Sequence, residues 1–349
     1  MSKYLKMDKA KLPGFLDGLL KEFRVMAPVE DESVILYREI DSAKEVVLDF
    51  YNSRRSPKEF FFPQSEVLFS YRYEGKELAL EEAADEPKKA VIFGMRPCDV
   101  RGVLQLDNVF IAGDPKLEDD LKDAHYSQKR EDTTILALGC SSPRSTCFCT
   151  SLGGGPCARE GADALFVDVG KSYVIELLSP KGEALFAGSG LPQADEEDQK
   201  LVVELTKKAE AAIESRVETE GLSELKLTEI FESPFWDKVH EKCLGCGICT
   251  YLCPTCSCFD VVDEKSDSGG ERVRIWDTCL FPLYSLQASG FNPRPTGKGR
   301  MRQRVLHKYK YALDTYDEIS CVGCGRCVVR CPVNLDIRQV VNDLVGGKV

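Results

Sequence analysis

Two stretches of this sequence concentrate residues that could do chemistry. The first is Cys243-Leu-Gly-Cys246-Gly-Ile-Cys249-Thr-Tyr-Leu-Cys253-Pro254, and the second is Cys321-Val-Gly-Cys324-Gly-Arg-Cys327-Val-Val-Arg-Cys331-Pro332. Both have the spacing C-x2-C-x2-C-x3-C-P, the run that holds a [4Fe–4S] cluster by thiolates, its fourth cysteine serving the other cluster of a pair. Cysteines at that interval let one tight turn wrap a cubane face. Gly245, Gly247, Gly323 and Gly325 permit the left-handed backbone and close approach that such a turn needs. Pro254 and Pro332 then lead the chain away from the last ligand. One cluster is therefore expected on Cys243, Cys246, Cys249 and Cys331, and the other on Cys321, Cys324, Cys327 and Cys253. Zinc is the competing reading, but zinc favours paired C-x2-C sites over four-cysteine runs closed by proline.

The sequence has sixteen cysteines, and half of them lie outside these two sets. Cys98 and Cys140 each follow a short apolar run, Ala90–Met95 and 134–139, that reads as a buried strand. In open α/β sheets the C-terminal strand edge is where ligands bind. Downstream of Cys140 lies Ser145-Thr-Cys147-Phe-Cys149, followed by Gly153-Gly-Gly-Pro-Cys157, whose glycines suit a loop pressed against an inorganic cofactor. Cys98, Cys140, Cys147 and Cys149 are expected to converge on a third [4Fe–4S] cluster, with Cys157 the substitute should one not reach. The bland alternative is that they are interior small hydrophobes, as free cysteines often are. Cys256, Cys258 and Cys279 are one short of a cluster set. They are expected to pack beside a cluster and tune it through S–H···S contacts.

The elements that must position these residues follow from periodicity. Apolar residues at helical spacing over 8–24 predict an opening helix, and short β-branched segments at 34–37, 46–50 and 67–73 predict strands. Strands are also expected at 165–169 and 173–177, and a long polar helix at about 194–217. Strands alternating with helices indicate an α/β domain over 1–225. The long connector between the two cysteine runs, with helical periodicity at 280–286 and 301–313, points to a mainly α-helical dicluster ferredoxin-like domain over 226–349.

Composition narrows the function classes. The chain has 349 residues, 43% of them apolar and 30% charged, with a net charge of −11. That charge argues against nucleic-acid binding, which needs a basic surface. No apolar run reaches the roughly 18 residues of a membrane span, and the N-terminus lacks a signal-peptide pattern, so a cytoplasmic location is expected. Cysteine-rich cytosolic chains use their thiols for metals rather than disulfides. Within this acidic chain, Lys298, Arg300, Arg302, Arg304, His307, Lys308 and Lys310 form a basic run. It is either a solvated helix face, or it offsets cluster charge or docks an acidic partner. With three histidines and no Ser/His/Asp arrangement, acid–base or nucleophilic catalysis has no evident machinery. No strand–GxGxxG–helix unit for a dinucleotide is visible.

Several segments resemble one group of iron–sulfur subunits. They are Phe61-Phe-Pro-Gln64 with Glu66, Arg96-Pro-Cys-Asp-Val-Arg-Gly102, Leu106-Asp-Asn-Val-Phe110, Thr146-Cys-Phe-Cys149, Cys253-Pro-Thr-Cys-Ser-Cys-Phe-Asp260, Ala288-Ser-Gly-Phe-Asn-Pro-Arg-Pro295 and Cys321–Pro332. The group comprises the anaerobic sulfite reductase A subunit, the cytoplasmic sulfhydrogenase β subunit, and the iron–sulfur subunit of flavin oxidoreductase modules that feed heterodisulfide reductases. The resemblance spans nearly the whole chain. It implies a hetero-oligomeric relay between a flavoprotein that reacts with NAD(P)H and a catalytic oxidoreductase subunit of heterodisulfide reductase, hydrogenase or sulfite reductase type. A different function class is an oxidoreductase that reduces a small substrate at the N-terminal iron–sulfur site. A third, a zinc-stapled interaction module, predicts a colourless protein.

Overall fold

The computed structural model describes residues 3–75, 77–82, 89–115 and 122–347. Eleven strands are formed among them: β1 (Lys3–Asp8), β2 (Arg24–Asp31), β3 (Val34–Glu39), β4 (Ser65–Glu74), β5 (Glu77–Glu82), β6 (Ala90–Met95), β7 (Thr133–Leu138), β8 (Ala164–Asp168), β9 (Ser172–Leu177), β10 (Phe259–Ser266) and β11 (Gly269–Trp276). Seven make one sheet in the order β1-β9-β8-β7-β6-β2-β3. Its centre, β8-β7-β6-β2, is parallel, and antiparallel strands flank it on both sides.

Both faces of this sheet are covered, which explains why β6 and β7 read as unbroken apolar runs. Alternate residues divide between two cores. Val91, Phe93 and Leu136 pack with Leu12, Leu16 and Leu19 of the opening helix and with Phe186. Ile92 and Ile135 pack instead with Val100, Val103 and Leu106 of the helix Pro97–Asp107. Parallel pairing of β6 and β7 brings their C-terminal ends side by side.

Several expectations need correction. The opening helix is only Leu12–Leu19, because a strand precedes it and β2 begins at Arg24. Residues 47–50 are not a strand: a single bridge, Val29 to Val46, is all that pairs there. The long polar helix runs Glu196–Ala211, started by an Asp195 capping box. Residues 280–286 form turns rather than a helix, whereas Gly297–Leu306 is helical and continues through a wider π turn, His307–Tyr311, into Ala312–Tyr316.

The second half is not helical throughout. β10 and β11 form a hairpin that joins β4 and β5 from the first half in a four-stranded sheet, β10-β11-β4-β5. Buried Arg274 on β11 locks that sheet to the first half by ion pairs with Glu66 and Asp123. A third apolar core gathers Phe235, Trp236, Met301, Val305, Tyr309, Val341 and Leu344, and it includes Phe148 and Leu152 from the first half. Both features cross the expected boundary at 225. None of the helices among the described residues is long and apolar enough to cross a membrane.

Candidate metal centres

At the C-terminal ends of β6 and β7, the chain provides sulfur. Cys98 stands on the first turn of the helix Pro97–Asp107, and Cys140 follows β7, its amide donating to the Pro156 carbonyl at 2.8 Å. The loop beyond Cys140 folds back over the same edge. It ends in a short 3-10 turn, Cys149–Leu152, which Gly153 closes in the left-handed region at φ 73°. Cys98, Cys140, Cys147 and Cys149 line one cavity there, and Cys324 from the second cysteine run reaches its wall. Cys157 is not among the lining residues. It is buried in the core behind, where a Cβ on Gly139 would lie 3.1 Å from its sulfur.

Burial pushes all four lining thiols up: Cys98 well above its usual range, Cys149 to about 12, and Cys140 and Cys147 by lesser amounts. As free groups they stay protonated, and a bound metal would have to drive off their protons. The wall also carries cations. Arg96 is 5% exposed and donates to the Gly139 carbonyl at 2.7 Å. Arg144 is a second lining guanidinium, and the Nε of each arginine is buried without a partner. Two guanidinium nitrogens left unpaired among the residues that line a sulfur-rich cavity fit an anionic thiolate cluster better than an empty apolar core.

The two C-terminal runs have nearly identical backbones. Gly247 and Gly325 adopt φ 74° and 73°, and each opens a single helical turn, Ile248–Tyr251 and Arg326–Val329. Cys243, Cys246, Cys249 and Cys331 line a second cavity, together with Cys327 and Arg304. Amides already point at two of these sulfurs: Gly245 N–H donates to Cys243 Sγ at 3.3 Å, and Leu335 N–H to Cys331 Sγ at 3.2 Å. Such bonds stabilise a thiolate more than a thiol. The last cysteine of each run lies with the other run. Cys331 lines the cavity of the first run, while Cys253 is one of the charges that, after burial, raise Cys321, Cys324 and Cys327. Burial pushes Cys327 up to about 12.

The surplus cysteines pack beside these sets. The Cys256 thiol hydrogen-bonds Cys253 and is the main cause holding Cys253 well below the usual thiol range. Cys279 does the same for Cys258, which is lowered to about 6. No group of three or more Cys, His, Asp or Glu among the described residues is arranged to hold a single metal ion.

The basic run divides by depth. Arg304, Lys308 and Lys310 are buried, whereas Lys298 and Arg302 make ion pairs with exposed Asp237 and Glu232. Lys308 Nζ donates to Thr255 Oγ1 at 2.7 Å, and that hydroxyl donates to the Ser320 carbonyl at 2.6 Å. Burial opposes the charge on Lys308, yet the Cys253, Cys256 and Cys321 sulfurs outweigh it and push its pKa up. For Arg304 the raising groups are Cys249, Cys327, Cys256 and Cys253. Lys58 approaches from the first half, 2% exposed, 4.2 Å over the Trp276 ring and donating to the Cys256 carbonyl at 2.5 Å, but there burial outweighs the nearby sulfurs and pushes its pKa down. Arg304 and Lys308, buried cations whose counter-charges are sulfurs, match thiolate-held clusters in the C-terminal half.

The family comparisons agree with this chemistry. Residues 242–335 match the 4Fe-4S dicluster domain family. The whole chain is similar to the sulfhydrogenase 2 subunit beta of Pyrococcus furiosus, with 32% identity over 350 residues that cover 99% of this chain and 100% of the relative. The chain belongs to the sulfhydrogenase beta-subunit family. This family member is thus an iron–sulfur protein with a dicluster domain, and its first-half sulfur set lies outside the matched segment.

Residues that cysteine counting missed also shape the site. Asn52 Nδ2 donates to the Cys324 carbonyl at 2.9 Å, and Arg326 pairs with Asp99. Asp99 lies inside the Arg96–Gly102 motif, but a single aspartate beside a cysteine announces no partner more than 200 residues away.

Proposed function

We propose that this chain is an electron-transfer subunit of a multi-subunit oxidoreductase, with three [4Fe–4S] clusters. The ligand sets are Cys98, Cys140, Cys147 and Cys149; Cys253, Cys321, Cys324 and Cys327; and Cys243, Cys246, Cys249 and Cys331. Clusters of this type supply single-electron transfer when bound. The protein's own residues do the rest: the sheet edge and the glycine turns hold the thiolates, the cores exclude water, and Arg304 and Lys308 offset negative charge.

The observation that carries this reading is contiguity. Phe148 N–H donates to the Gly323 carbonyl at 2.9 Å, and Cys324 lines the first-half cavity, so the second run is packed directly against the first-half site. On its other side, Cys327 lines the cavity of the first run. The sulfur sets therefore form a series with the Cys321 run in the middle. Four thiols around the first-half cavity leave no corner free of cysteine for a small substrate, which weighs against catalysis there.

The C-terminal edge of β6 and β7, where an α/β sheet would bind a dinucleotide, carries cysteines and Arg96-Pro97 instead of a glycine-rich turn. We infer that hydride from NAD(P)H is split by a flavin in a partner chain, and that a second partner is the catalytic oxidoreductase subunit. The test is anaerobic mixing of the purified, flavin-free chain with NADH or NADPH while visible absorbance is followed. The expected result is bleaching by dithionite, and by nicotinamide only after a flavoprotein partner is added. Prompt bleaching by nicotinamide alone would overturn the relay.

A further inference from the structure

Asp99 and Arg326 form an ion pair at the point where the two halves meet. Arg326 Nη1 and Nη2 donate to the two Asp99 oxygens at 2.7 Å each. The same guanidinium donates from Nε to the Ser53 carbonyl at 2.9 Å and from Nη2 to the Ser53 hydroxyl at 3.0 Å. Asp99 is fully buried and Arg326 is 3% exposed. Asp99 follows Cys98 on the helix Pro97–Asp107, and Arg326 stands between Cys324 and Cys327. The pair therefore links the first-half sulfur set to the middle run through side chains adjacent to both.

Burying two charges removes each from water, and their attraction does little more than repay that loss, so stability is a weak reason for such a pair. Geometry offers a better one. The guanidinium fork is satisfied at three of its nitrogens, which fixes both position and orientation. Its charge is met first by Asp99, with the Cys324 and Cys98 sulfurs behind, whereas Arg304 and Lys308 have sulfurs as their counter-charges.

We propose that Asp99 and Arg326 are a positioning pair at the junction of the relay, fixing the first-half sulfur set against the middle run and keeping the field between them near neutral. This rests on the reading that both sets hold clusters. Two variants separate the halves of the claim. Asp99→Asn keeps the shape but leaves the Arg326 charge uncancelled, which favours the reduced, more negative state on either side. Arg326→Lys keeps the charge but loses the fork.

The experiment is an anaerobic EPR redox titration of the wild-type chain and both variants, with iron and sulfide measured on each sample. Asp99→Asn is expected to raise the midpoint potentials of the first-half and middle clusters, and to leave the Cys243 cluster where it was. Arg326→Lys is expected to change the potentials less but to weaken the magnetic interaction between the first-half and middle clusters. Selective loss of first-half iron from Arg326→Lys would also support the positioning role. Fully loaded variants with unchanged potentials and unchanged interaction would overturn the inference, as would collapse of all three sites in both variants. A wild-type chain that holds only the C-terminal iron would instead defeat the three-cluster reading, before any variant is considered.

Discussion

The first-half sulfur set and the C-terminal runs reach similar ends by opposite routes. In each run, three cysteines lie within one glycine-bent turn, so most of the ligand geometry is local. At the first-half site, Cys98 and Cys140 become neighbours only because β6 and β7 pair in parallel. The cores differ in the same sense. The seven-stranded sheet is sandwiched between two apolar cores, whereas the C-terminal core surrounds short helices and buried cations that face sulfur. A local motif can thus depend on its metal for stability, and a non-local site depends on a fold that stands without metal.

Iron removal is the strongest way to break that comparison. Structural thiolate-bound metal contributes on the order of 10 kcal/mol to small metal-dependent folds. The iron-free chain is expected to unfold in two steps, with the C-terminal half opening first. Hydrogen exchange should show β6 and β7 still protected when the helix Gly297–Leu306 has lost protection. Simultaneous loss in both regions would mean that the sheet also leans on its cluster.

The exchange of fourth ligands gives the next largest effect. Cys331→Ala should cost the cluster of Cys243, Cys246 and Cys249, about four irons of roughly twelve, although it lies in the other run. EPR showing loss only of the Cys321, Cys324 and Cys327 cluster would reverse the assignment.

Gly323→Ala tests the seam between the regions. Gly323 has φ 64°, and a Cβ there would lie 2.5 Å from the Cys149 nitrogen and the Phe148 carbonyl carbon. Backbone cannot step aside cheaply, so strain and overpacking together should cost about 2–5 kcal/mol. Denaturant unfolding of the loaded protein measures it. A change within a few tenths of a kcal/mol would show that the seam is loose.

What was legible in the sequence follows the same division. The cysteine runs could be read because ligand spacing is written in consecutive residues. β6 to β9 could be read because buried strands are unbroken apolar segments. The first-half ligand candidates required only one further step, that adjacent strands end at the same edge. Pairing of β11 with β4 was not legible, since nothing in 65–74 or 269–276 names its partner. Residues 280–286 misled because apolar spacing at Leu280, Leu283 and Leu286 is helical, while Leu283 is 73% exposed in a turn. The basic run looked like one surface feature. Only packing shows that Arg304 and Lys308 turn inward, the latter within a π turn that shifts the helical register.

Arg304 gives the smallest effect and the finest test. It is 4% exposed, its Nε has no hydrogen-bond partner, and it lines the Cys243 cavity while facing Cys327 of the middle set. In the loaded protein its charge is offset by thiolate clusters on both sides. In the iron-free protein less negative charge surrounds it, since burial keeps Cys327 protonated, and a poorly compensated buried cation is destabilising. Arg304→Met keeps much of the side-chain volume and removes the charge, so its sign should depend on the metal. The first unfolding step of the iron-free chain should become more stable by about 1–3 kcal/mol. In the loaded chain, that gain should vanish and both C-terminal clusters should shift to lower potential, with the first-half cluster unchanged. Urea titration of the iron-free pair and redox titration of the loaded pair read the two halves separately. An iron-free variant weaker than wild type would make Arg304 a packing residue. Unchanged potentials in the loaded variant would show that its charge is not what balances the clusters.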